Sequence, residues 1–266
     1  FNKDEIIQLK SAVKKLQAGN RTSGLAHKFG RKKSGSDEAI ITATDAAIQD
    51  KIIPALRELL ADDGLNFDIQ SASEIALAKI GDESIVPTLK KMAKNDKTGS
   101  GSYHKVVRES AGLSFGLLQK DDEDVRSFLI DVVQDQDLDA SFVRPFSAIS
   151  LGLLGDKNDP DSAVSAALLE IIARKEKGAE VKPASLVALG LLGNGNVVPD
   201  LLYMLENGKA DASKVESVKV ADDLSDVELA FVVQALGKIG APGTDKPGEE
   251  MAVVEALTAV ISPKKS

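Results

Sequence analysis

"SAISLGLLG" (residues 147–155) decides the fold, because four other segments repeat its code. They read "SEIALAKIG" (73–81), "AGLSFGLLQ" (111–119), "SLVALGLLG" (185–193) and "VVQALGKIG" (232–240). Aligned on the last residue, the position before it is always aliphatic: Ile80, Leu118, Leu154, Leu192 and Ile239. Three before the end stands a tiny residue, Ala78, Gly116, Gly152, Gly190 or Gly237. Four before it stands a large apolar one, Leu77, Phe115, Leu151, Leu189 or Leu236, and five before it a small one, Ala76, Ser114, Ser150, Ala188 or Ala235. The copies are spaced by 38, 36, 38 and 47 residues, a period that marks a stacked-repeat architecture.

Glycine inside a helix costs about 1 kcal/mol relative to alanine. Its recurrence at one register therefore implies a compensating gain, which is close approach of the next repeat's helix. Gly155 and its equivalents are expected to supply a left-handed C-terminal cap, with Asp82 and Asp156 capping the next helix. After each stop comes a second amphipathic segment, "IVPTLKKMAK" (85–94), "DVRSFLIDVVQ" (124–134), "SAVSAALLEIIAR" (162–174) and "VVPDLLYMLE" (197–206). Their apolar residues fall at helical spacing, and Pro87 and Pro199 sit in first turns, where a missing N–H is harmless. The unit is a helical hairpin, and a hairpin alone cannot bury both faces.

The sequence predicts an all-α, right-handed α-solenoid of about six such hairpins. Residues 37–64 read as a weaker hairpin with Pro54 opening its second helix, and residues 4–17 and 249–261 as further helices. Two domains are expected: residues 1–36, an N-terminal helix and basic linker (remnant or cap of an earlier repeat), and residues 37–266, the array. Insertions at 207–226 and 240–250 break the period; such long loops are binding elements or decoration.

Composition supports this class. Aromatics make up 4 % of the 266 residues and Trp is absent, so small and aliphatic side chains carry the packing. With no cysteine there is no disulfide, thiolate metal site or thiol nucleophile in this sequence. The net charge of −8 is uneven: residues 1–35 hold nine of 33 Lys/Arg but two of 41 Asp/Glu. The acidic remainder disfavours nucleic acid, whose binding needs a positive surface. The basic stretch "NRTSGLAHKFGRKKSGS" (20–36) reads as a solvated linker or a basic arm for an acidic partner. No apolar run is long enough to span a bilayer. The chain begins at Phe1, so a cytoplasmic location or export behind a removed signal peptide both stay open.

The motifs "ALAKIGDESIVPTLKKMAKND" (76–96) and "ASLVALGLLGNGNVVPDLLYMLENG" (184–208), and the pairs Val107–Arg108 and Val143–Arg144, resemble HEAT repeats, particularly the short bacterial kind named after phycobilin lyases. Lys182 stands where the arginines do, whereas Gln70 and Leu229 depart from the pattern. The resemblance spans roughly residues 37–262. It implies a ladder between the basic residue and a turn aspartate, and mostly a binding scaffold. "SAGLSFGLLQ" and "VALGLLGNGN" are also similar to proteasome/cyclosome repeats, which close into toroids.

Catalytic constellations are hard to find. His27 and His104 are isolated, and zinc needs three or four ligands close together. "GDKNDPDSA" (155–163) lacks the glycine and glutamate of a calcium loop and reads as a turn with Asp161 capping a helix. "KDDEDV" (120–125) reads as acidic residues favoured at a helix N-terminus. No cofactor and no metal are expected, and the chain is read as not an enzyme. Registering the second helices on Leu56, Leu89, Leu129, Leu168, Leu201 and Val253 places one row two residues later: Glu58, Lys91, Asp131, Glu170, Tyr203 and Glu255. That row is the expected partner-binding surface on the concave face, suited to another protein of basic or mixed charge. The expected function is a non-enzymatic interaction scaffold; the alternative is a lyase-type or other enzyme accessory subunit acting on a tetrapyrrole or a covalent protein modification.

Overall fold

The computed structural model describes residues 45–97, 101–138, 142–155, 159, 162–215 and 217–240. The expected helices at 4–17 and 249–261, the basic stretch 20–36, the boundary at residue 36, and Val253 and Glu255 lie outside the described residues. The chain divides into two compact units at Asp63/Gly64.

In the first unit the described part is a single helical run rather than two helices with a turn. A short helix, Asp45–Ala47, continues through a π-helical turn, Ile48–Ile52, into α1 (Ile53–Ala61). Ile53 donates its N–H to the carbonyl of Ile48, a five-residue step. Pro54, at the start of α1, has no N–H to give, and the wider turn accommodates that gap.

The second unit is the array. Its first helices are α2 (Phe67–Ile80), α4 (Lys105–Leu118), α6 (Val143–Leu154), α8 (Val181–Leu192) and α10 (Asp226–Ile239). Its second helices are α3 (Val86–Lys94), α5 (Glu123–Gln134), α7 (Ala163–Ala173) and α9 (Val198–Asn207). Four complete hairpins and one further first helix are thus described. Each first helix packs along the next, and each second helix packs against the first helix that comes after it.

The repeat code explains this stacking. Leu77, Phe115, Leu151, Leu189 and Leu236 are all fully buried. The tiny residue of one repeat meets the small residue of the next: Gly116 faces Ser150, Gly152 faces Ala188, and Gly190 faces Ala235. A Cβ on Gly152 would stand 2.5 Å from the Ala188 carbonyl oxygen, and one on Gly190 3.0 Å from Ala235 Cα. Real Cβ atoms do not tolerate the first distance, so backbone contact is what the glycine provides. At the α4–α6 contact Ser150 goes further. Its hydroxyl donates to the Gly112 carbonyl at 2.7 Å and accepts from the Gly116 N–H at 3.0 Å, inserting between two groups that a helix pairs with each other.

The ends of the helices partly match expectation. Gly81 (φ +87°), Gly193 (φ +68°) and Gln119 (φ +54°) are left-handed caps. Gly155 and Gly240 are not: Gly155 is extended (φ −69°, ψ 156°) and Gly240 has φ −81°. Gly155 is small for packing instead, since a Cβ there would run into Leu192 Cδ1. Asp82 caps as expected, accepting from Ser84 N–H, and Asp122 accepts from Val125 N–H ahead of Glu123 and Asp124. Ser162 caps α7, accepting from Ser165 N–H, and the expected caps Asp156 and Asp161 lie outside the described residues. His104 caps α4 through Nδ1 and stacks on Phe67 with ring centroids 3.7 Å apart.

Arg108, Arg144 and Lys182 are buried, as a ladder requires. For the latter two the carboxylates come from beyond the second helices rather than from the turn after the first. Arg144 donates Nε–H to the Val133 carbonyl at the end of α5 (2.8 Å) and pairs with Glu176, just past α7, at 2.7 Å. Lys182 pairs with Asp222 at 2.7 Å, and the Asp222 N–H donates to the Ala173 carbonyl at the end of α7. Cations placed against exposed helix C-terminal carbonyls are favoured by geometry and by the helix dipole.

Candidate functional site

The 47-residue spacing in the last repeat has a structural cause. After α9, the chain from Gly208 to Leu224 forms a compact loop whose ends meet: Leu224 N–H donates to the Gly208 carbonyl, and Lys209 bridges Asp223. A surface loop of this length with joined ends is an Ω-loop. It lies along the gap between α7 and α9 as a strap, and among the described residues Ser217, Lys214 and Asp222 hold it. Ser217 Oγ donates to Glu170 Oε1 on α7 at 2.6 Å. Lys214 pairs with Asp200 on α9 at 2.7 Å. Asp222 is tied to Lys182 and Ala173 as described.

Beneath the strap is a groove of about 830 Å³. Its wall on α5 is Ile130 and Gln134; α7 contributes Ala166, Leu169 and Glu170, and α9 contributes Asp200 and the buried Met204. The deep end is neutral and polar, with Ser162, Ser165 and Asn194, each buried. Asn194 is held by its own turn: its amide donates to the Asp159 carbonyl at 2.8 Å, and its Oδ1 accepts from Asn196 N–H at 3.0 Å. Ser165 N–H donates to Ser162 Oγ, while Ser165 Oγ meets no partner among the described residues. The volume falls inside the roughly 300–1,000 Å³ of ligand pockets, with the usual mix of apolar wall and few polar groups.

The strap sets the local electrostatics. The hydrogen bond from Lys214 to Asp200 raises the lysine above its usual range, and Ser213 lowers the Asp211 carboxyl by hydrogen bonding through side chain and backbone. Lys182 likewise lowers Asp222. Glu170 accepts from both Ser217 and Gln134 Nε2 (3.1 Å), so α5, α7 and the strap converge on one carboxylate.

Of the residues expected to form a partner-binding row, Glu170 lines this groove. Asp131 and Lys91 are exposed on α5 and α3, Tyr203 is half-buried on α9, and none of these three lines it. Glu58 is exposed in the first unit. The groove residues that sequence reading passed over, Ile130, Gln134, Asp200 and Met204, sit one, five, minus one and three positions from the buried anchors Leu129 and Leu201. A step of two residues turns roughly 200° around a helix and points straight away from the anchor; on α7 that direction reaches the groove at Glu170, whereas on α5 and α9 the groove lies to the side. No group of three or more His, Cys, Asp or Glu is placed to hold a metal among the described residues, and no helix among them is long and apolar enough to cross a membrane.

No protein-family model matches the chain, and no curated protein matches it. Among solved structures it is similar to the complex of CpcE and CpcF of phycocyanin lyase from Nostoc sp. PCC7120, at 18 % identity over 86 % of this chain and 76 % of that one, with a TM-score of 0.47. The fold is an α-solenoid of stacked helical hairpins. One expectation is corrected by this finding. The chain was expected not to be an enzyme, and that is withdrawn, because the structure it resembles is of a lyase.

Proposed function

We propose that this chain is a lyase-type accessory subunit that holds a segment of the protein undergoing covalent modification in the strap-roofed groove between α7 and α9. The groove carries the proposal: it spans three consecutive hairpins, is of ligand size, and is lined along one side by an insertion that interrupts the repeat. The class of chemistry comes from the resemblance to repeats of the phycobilin-lyase kind. The lack of any cysteine fits a subunit that presents an acceptor rather than one that attacks through a thiol.

The test is retention of a modified protein. Immobilised wild type and Ala166→Trp, which fills the groove from an exposed α7 position, are incubated with extract of the source cells. Bound proteins are denatured and scanned for a covalent tetrapyrrole by visible absorbance and zinc-enhanced fluorescence. Wild type is expected to retain such a protein and the variant to lose it. Equal retention, or none by wild type, contradicts the proposal.

A further inference from the structure

The groove has a charge imbalance that its own roof partly answers. Among the described residues, Glu170, Asp200 and Asp211 line it against a single lining cation, Lys214. That cation comes from the strap: its ammonium stands 2.7 Å from Asp200 while the lysine side chain stays 53 % exposed and the aspartate 14 %. An ammonium on an alkyl stem is therefore already accommodated at Asp200, next to the apolar Val197 and Met204. Lys214 is also exposed enough to return to water at little desolvation cost.

We propose that the groove takes a short basic segment of a partner protein, whose lysine or arginine replaces Lys214 at Asp200, and that in the free chain Lys214 occupies that place as an internal competitor. This rests on reading the groove as the recognition surface. A basic side chain entering there leaves no buried charge unpaired, because it inherits the carboxylate that Lys214 gives up. An acidic segment would set like charges against three carboxylates. The strap then acts as a displaceable lid: the fraction of molecules with Lys214 released sets the apparent affinity.

The experiment uses fluorescence anisotropy with two labelled decapeptides, one alternating lysine and valine, the other glutamate and valine, at physiological ionic strength. The lysine peptide is expected to bind wild type and the glutamate peptide is not. Lys214→Ala should bind the lysine peptide about tenfold tighter, and Asp200→Asn about tenfold weaker. Lys90→Ala, which removes the same charge from α3 outside the groove lining, should match wild type. If Lys214→Ala behaves like Lys90→Ala, or the glutamate peptide binds equally, the inference is overturned. Should Ala166→Trp still abolish capture of the modified protein in that event, the groove remains the recognition surface and only its basic specificity falls. If Ala166→Trp has no effect either, both fall.

Discussion

Gly152 on α6 and Ala188 on α8 meet backbone to backbone, so that a Cβ on Gly152 would stand 2.5 Å from the Ala188 carbonyl oxygen. Alanine has the higher helix propensity by about 1 kcal/mol, yet overpacking against main chain costs about 1–3 kcal/mol. Gly152→Ala is expected to lose up to about 2 kcal/mol net. Gly190→Ala, whose nearest neighbour would be 3.0 Å away, should lose less. Urea unfolding of both variants checks the order; equal losses would show that the close approach is not what the glycines serve.

Ser150 holds α4 and α6 together by a hydroxyl set between Gly112 and Gly116. Removing a buried hydrogen-bonding partner costs about 1–3 kcal/mol. Ser150→Ala is expected to lie within that range and to change amide exchange at Gly116, read by NMR. Unaltered exchange there would remove the hydroxyl from the helix contact.

The pair Arg144–Glu176 is buried on both sides, at 6 % and 2 % exposure. Breaking a buried pair by removing one partner costs about 3–5 kcal/mol, whereas replacing both by apolar residues is far cheaper. Glu176 also accepts from Arg174 Nε–H, so Arg144→Met leaves the carboxylate one partner and should cost less than that full loss, whereas Glu176→Met, which strips both arginines, should cost more than Arg144→Met. A double-mutant cycle measures the coupling; additive losses would deny it.

Glu74 is fully buried on α2, with Oε1 accepting from Ser110 and Oε2 meeting no partner among the described residues. Burial pushes its pKa well above the usual carboxylate range, while the Ser110 hydrogen bond partly opposes that shift. The native state then holds a proton that the unfolded chain has already released. This contribution is complete below the unfolded pKa and is lost as pH rises from there toward the folded pKa. Glu74→Gln, which stays neutral, should remove that pH dependence and gain on wild type as pH rises above the ordinary carboxylate range in thermal melts. Parallel curves for the two proteins would contradict the assignment.

The parts of the fold that were legible are those that recur at one spacing. Leu77, Phe115, Leu151, Leu189 and Leu236 are read as core from the period alone, and all are fully buried. The glycine three positions before each stop reads as a contact point for the same reason. Gly155 misleads because a stop glycine can serve either a left-handed cap or a close neighbour, and sequence does not separate the two. The strap was visible only as a broken period. Ser217 reaches Glu170 across 47 residues, and such a contact leaves no periodic trace. The groove was legible only at Glu170, because on α5 and α9 it opens beside the helices and not along the row directly opposite their buried leucines.

Amide hydrogen exchange of the whole chain, with and without the captured modified protein, puts the groove to the most direct trial. Binding is expected to slow exchange in α7, in α9 and in the strap from Gly208 to Leu224, leaving α2, α4 and α6 unchanged. Protection confined to the first helices, or absent from the strap, would contradict the account.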